Sequence, residues 1–248
     1  MISKTFSSTL NFTQWINSRS PEILDLIHSI SRALYIEIEY FCKEIRINPR
    51  AVNLENIPES DYFSYQDNYN SCYDEKLARP VDIQEISEFV QTLYKEFKFS
   101  KECFVLTMVY IKKFLFYSKI PLMSDNWKNI LLISTLVAQR VSDNAIISAS
   151  DYNNIKGFSL EDIRLMEIDF LNFIGYDYKL EAIEYLYQSN YLQDISKSIK
   201  GNTWYLDNEK LENIMKRSKQ LSEEESDSDC GIYHSEAMHS IDIDLIDY

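Results

Sequence analysis

Apolar residues recur three and four positions apart over most of the chain, the spacing that gathers them on one face of an α-helix. Ile23, Leu26, Ile27, Ile30, Leu34, Ile38 and Phe41 predict a first helix. Ser20 suits its cap, Pro21 its first position and Glu22 its positive end. Periodicity is lost over 46–80, where Pro49, Pro58, Pro80 and many Asn, Asp and Tyr residues predict an irregular wrap. It returns at Asp82, which with Glu85 reads as a capping box ahead of Ile86, Phe89, Val90, Leu93 and Phe97. Ser100 caps a second periodic run, and Ile120-Pro121 ends it. A third run over 125–142 is apolar on most sides and therefore predicted to be central. In it Ser134 and Ala138, small and four apart, allow a neighbour to approach closely. A short helix is expected over Tyr152–Ile155, then one from Ser159 with Asp162 to Gly175, and two more over 180–192 and 208–221.

These runs predict an all-α protein in five parts. They are a flexible N-terminus (1–19), an N-terminal helix with the wrap (20–80), a helical core unit (81–178), C-terminal helices (179–221) and an acidic disordered tail (222–248). Only 4 Gly and 5 Pro in 248 residues, with 45% hydrophobic residues, favour helices around a real core over a loop-rich β fold. No apolar run approaches the roughly 18 residues of a membrane span. Residue 2 is Ile, which excludes N-myristoylation at this start, so no membrane anchor is expected.

The net charge is −14, of which residues 222–248 supply −9 and the rest −5. An acidic body repels phosphate backbones and so disfavours nucleic acid as a partner. Cys42, Cys72, Cys103 and Cys230 form no CxxC pair, which predicts neither a metal site nor a disulfide framework and fits an intracellular compartment, cytoplasmic or nuclear. The Glu-x-x-His pattern of carboxylate-bridged helical enzymes does not occur, and no cofactor is expected.

Two charges stand out of place. Glu167 lies four residues from both Ile163 and Leu171, on an apolar stripe, and Arg140 borders the apolar face of the third run beside Leu136 and Val137. Burying either alone costs several kcal/mol, on the order of a lost ion pair. Either they pair, or both reach out to the rim and contribute little.

The order of several short motifs then becomes informative. Phe89-Val90-Gln91-Thr92-Leu93-Tyr94 follows Asp74-Glu75-Lys76-Leu77, and Leu106-Thr107-Met108-Val109-Tyr110 comes next. Asn126-Trp127-Lys128-Asn129-Ile130, Val137-Ala138-Gln139-Arg140-Val141-Ser142-Asp143 and Leu160-Glu161-Asp162 with Glu167 complete the series. This ordered set, over roughly residues 74–178, resembles the cyclin family, and within it the cyclin Y-like members with a single cyclin box.

The resemblance implies five helices around a central third, and a regulatory subunit rather than an enzyme. It implies a cyclin-dependent protein kinase of the PFTAIRE/PCTAIRE type as partner, contacted by an ion pair at Arg140 and Glu167 and an apolar patch of Val137, Val141, Leu171 and Tyr176. Periodicity alone reads those four apolar residues as core. The basic residue is usually Lys in this family, so Arg140 departs from the pattern, which leaves open a helical adaptor that activates no kinase. Ser222, Ser226 and Ser228 sit among acidic residues and are candidate phosphosites, and the resemblance implies a phosphoserine-binding adaptor as a further partner.

Overall fold

The computed structural model describes residues 21–47, 60, 62–63, 80–142, 155, 157–200 and 208–227. Seven helices occur among them: α1 (Pro21–Ile47), α2 (Ile83–Phe97), α3 (Lys101–Ser118), α4 (Trp127–Ser142), α5 (Leu160–Phe173), α6 (Ala182–Lys200) and α7 (Asn208–Asp227). The described residues contain no strand, as the all-α reading requires.

Helix starts follow from local chemistry. Ser159 and Asp162 close a reciprocal capping box on α5, Asp162 N–H donating to Ser159 Oγ at 3.0 Å and Ser159 N–H to Asp162 Oδ2 at 3.3 Å. Ser100 Oγ accepts from Cys103 N–H at 3.3 Å at the start of α3. Asp82 caps α2 through Gln84 N–H at 3.0 Å. The expected box there is not closed, because Glu85 turns away to Lys128 Nζ on α4, 2.6 Å distant. Two helix ends are unconventional: α2 and α3 stop at lysines in the left-handed region, Lys98 at φ 49° and Lys119 at φ 59°. The positive side chain suits the negative helix end, which offsets part of the backbone cost.

The core is organised by α3 and α4, which form the most extensive helix contact. Both are buried on nearly every side, so the central position expected for α4 alone is shared. Ser134 and Ala138 are wholly buried in α4. Helices α1 and α6 cover α3, and α5 and α7 cover α4. Phe114 of α3 stacks on Phe170 of α5 with centroids 4.9 Å apart. Phe63, from the wrap, meets both rings edge-on at 5.0 and 6.2 Å. Its segment is pinned by polar bonds: Ser60 Oγ donates to Asp169 Oδ2, Asn126 Nδ2 to the Phe63 carbonyl at 2.9 Å and Asn129 Nδ2 to the Tyr62 carbonyl at 2.7 Å.

Several boundaries differ from the periodicity reading. α1 continues to Ile47 and α6 to Lys200, where Ile195 and Ser196 remain buried beyond Leu192. α7 runs to Asp227 rather than ending at Leu221, with Lys219 and Glu223 one turn apart and paired at 3.8 Å. Its last six residues fall in the segment read as a disordered tail. The expected cap Ser20, and the helix over Tyr152–Ile155 apart from buried Ile155, lie outside the described residues.

Replacing Ser159 by Ala removes one half of the α5 capping box and is expected to lower stability by about 1 kcal/mol. A urea titration followed by circular dichroism measures this as a lower midpoint with an unchanged slope.

Candidate functional site

The last turn of α4 lies against the middle of α5, and the two out-of-place charges meet there. Arg140 Nη2 donates to Glu167 Oε1. The other fork of the guanidinium, Nη1, donates to the Tyr178 hydroxyl at 3.4 Å. Helix geometry accounts for the meeting. Val137 and Val141 anchor the inner face of α4 with no exposed surface, which leaves Arg140 at the edge with 38% of its side chain exposed. Ile163, Met166 and Phe170 do the same for α5 and leave Glu167 16% exposed at the same edge. The pair is thus half-buried: dry enough to be geometrically fixed, wet enough to escape the full cost of burying two ions.

Tyr178 is fully buried and comes from the chain after α5. Its carbonyl accepts from the Tyr110 hydroxyl of α3 at 2.9 Å. After α5 ends at Phe173 the chain turns through Gly175 (φ 62°) and Tyr176 (φ 54°), and Tyr176 N–H closes back onto the Leu171 carbonyl at 2.8 Å. The expected glycine stop is therefore used, but Tyr176 also takes the left-handed conformation, at a cost on the order of 1 kcal/mol. Beside it the buried Lys113 of α3 bonds the Lys179 carbonyl and Asp177 Oδ2, the latter at 3.0 Å.

The four residues expected in the apolar patch divide by burial. Val137 and Val141 are entirely buried, so they are core residues and offer no surface to a partner. Leu171 is 5% exposed and Tyr176 half-buried, at the margin of the pair. α5 also exposes Leu165 and Ile168, 42% and 52%, of which Ile168 neighbours Leu171 and Leu165 lies nearly opposite Glu167 around the helix. Their signal is a second apolar spacing of three on the face away from Ile163 and Phe170, which a search for a single core stripe passes over.

Ser222 lies in α7, half-buried, with its hydroxyl donating to the Ser218 carbonyl at 3.1 Å. Ser226 falls in the last turn of α7, and Ser228 lies outside the described residues. Among the described residues no group of three His, Cys, Asp or Glu side chains is placed to hold a metal ion. None of the helices described is long and apolar enough to cross a membrane.

A family model described as Cyclin matches residues 33–178. Among curated proteins, Cyclin-U4-1 of Arabidopsis thaliana is 26% identical over 118 residues, 47% of this chain and 57% of that protein. The matched segment thus spans little more than half of that relative's length. No solved structure matches the chain. The family-model match begins within α1 and ends at Tyr178, so it contains both members of the ion pair and the tyrosine behind them.

Burial, then the neighbouring Asp177, pushes the Tyr110 hydroxyl well above the ordinary tyrosine value of 10.0. An unfolded tyrosine loses its proton near 10 while folded Tyr110 keeps its own. The unfolded state therefore binds fewer protons above that pH, and stability present below it is lost as pH rises. Urea midpoints measured from pH 8 to 11 are expected to fall above pH 10. Absorbance at 295 nm should show Tyr110 ionising only with unfolding, and ionisation in the folded state would contradict this account.

Proposed function

Because the chain belongs to the cyclin family, we propose that it is the regulatory subunit of a cyclin-dependent protein kinase, bound through the edge where α4 meets α5. The observation that supports this best is the half-buried Arg140–Glu167 pair with Leu171 and Tyr176 at its margin and exposed Ile168 one helical neighbour beyond Leu171. Fixed charges beside unpartnered apolar surface are what a protein interface needs: apolar contact for affinity, charge for register. Leu171 and Tyr176 extend the same edge toward the end of α5.

A protein kinase works only when its β3 Lys pairs with a Glu on the αC helix. In this reading the α5 edge packs on αC and holds it inward, and the chain itself catalyses nothing. Arg140 stands where a Lys is usual, and its planar fork bonds Glu167 and Tyr178 at once, which the point charge of a lysine does less specifically. The ordered motifs favour the cyclin Y-like subtype, and with it a kinase of the PFTAIRE/PCTAIRE type.

Co-purification with such a kinase tests the face. Glu167→Ala and Ile168→Asp are each expected to weaken capture by about tenfold or more, the range of central interface residues. Capture and kinase activation unchanged in both folded variants would remove the face. Capture without activation by the unaltered protein would favour the non-activating adaptor. Val137→Asp is unsuitable for this purpose, because a carboxylate at a fully buried position unfolds the core rather than altering a surface.

A further inference from the structure

Four consecutive residues after α5, Asp177 to Leu180, are tied down from two different helices. Lys113 of α3 holds Asp177 Oδ2 at 3.0 Å and the Lys179 carbonyl, and lies 3.9 Å from Glu184 Oε2 at the start of α6. The Tyr110 hydroxyl, also from α3, bonds the Tyr178 carbonyl at 2.9 Å. From the other side Ser218 of α7, wholly buried, accepts Leu180 N–H at 3.1 Å and donates to the Met215 carbonyl at 2.9 Å. Of the four, Tyr178 reaches the ion pair: its hydroxyl accepts from Arg140.

Stability alone does not call for this arrangement. The Lys113 side chain is 8% exposed, and an apolar residue of similar volume is often as stable as a buried ion pair or more so. A buried cation that bonds a carboxylate and a carbonyl does what an apolar side chain cannot: it selects one backbone position for the residues it holds. The residue between those two acceptors is Tyr178.

We propose that residues 177–180 form a positioning strap, held by Lys113, Tyr110 and Ser218, through which the Tyr178 hydroxyl fixes the orientation of the Arg140 guanidinium toward Glu167. Lys113, Tyr178 and Ser218 are accordingly positioning residues. Through Ser218 the last helix, which lies beyond the matched family segment, takes part in setting the pair. The consequence for partner binding rests on the kinase-facing reading of that pair, whereas the positioning itself does not.

The test uses the full chain with isotope-labelled arginine. Nitrogen-detected NMR measures rotation of the Arg140 guanidinium, assigned by its loss in Arg140→Lys. Rotation is expected to be slow in the unaltered protein. In Tyr178→Phe, which keeps the ring and the carbonyl bond, it should be several-fold faster, and likewise in Lys113→Met and Ser218→Ala, while Lys113→Arg should restore the slow rate. Removal of the exposed pair Lys197–Asp194 by Lys197→Met should leave Arg140 unaffected. Capture of a cyclin-dependent kinase by Tyr178→Phe is expected to fall about fivefold, the usual worth of one hydrogen bond. Faster rotation with weaker capture supports both the strap and the docking face. Faster rotation with unchanged capture sustains the strap and overturns the docking face. Unchanged rotation in folded Tyr178→Phe overturns the strap. If Lys113→Met fails to fold, Tyr178→Phe and Ser218→Ala decide the matter.

Discussion

Two helices that are apolar on almost every side place the governing constraint on this protein. α3 and α4 are buried over most of their surface, so each needs neighbouring helices to cover it, and the result is a layered arrangement. α1 and α6 are the cover for one, α5 and α7 for the other. The aromatic contact of Phe63, Phe114 and Phe170 fills the junction between wrap, α3 and α5. The Arg140–Glu167 pair sits where this cover meets its edge, where a side chain belongs to both the dry interior and the surface.

The Arg140–Glu167 pair is the clearest product of that edge. Its contribution to stability is modest, as for any partly exposed ion pair. Its value is geometric. A planar guanidinium with one fork on a carboxylate and the other on a buried tyrosine has few orientations left to it, and a partner meeting it loses little further entropy. Leu171 and Tyr176 lie at the margin of the same edge, and Ile168, exposed, neighbours Leu171 one turn away on α5.

Much of this was legible in the chain because the relevant signals are local. The 3.6-residue stripe places α2 to α5, and Ser100, Ser159 and Asp82 mark their starts through side chains that bond backbone two or three residues away. The charge pair was legible because each ion broke an apolar stripe. What escaped depends on distant contacts. Nothing near Phe63 announces that it completes a ring cluster with residues 51 and 107 positions away. Lys113 reads as an ordinary surface lysine until α6 and the strap close over it. Lys98 and Lys119 end helices in a conformation usually given to Gly or Asn, so the boundaries carry no familiar mark. Val137 and Val141 are the core residues that periodicity alone reads them to be, on the interior side of Arg140.

The Ser60–Asp169 bond spans 109 positions of chain. During synthesis the ring of Phe63 and the hydroxyl of Ser60 leave the ribosome long before α5 exists to receive them. Contacts of such long range are late in folding, since the closure entropy must be met before they form. The edge on α5 is therefore finished only when the early part of the polypeptide returns to it. A nascent or truncated chain lacking that return would carry α5 without its full backing, so the finish of this helix depends on a segment more than a hundred positions earlier.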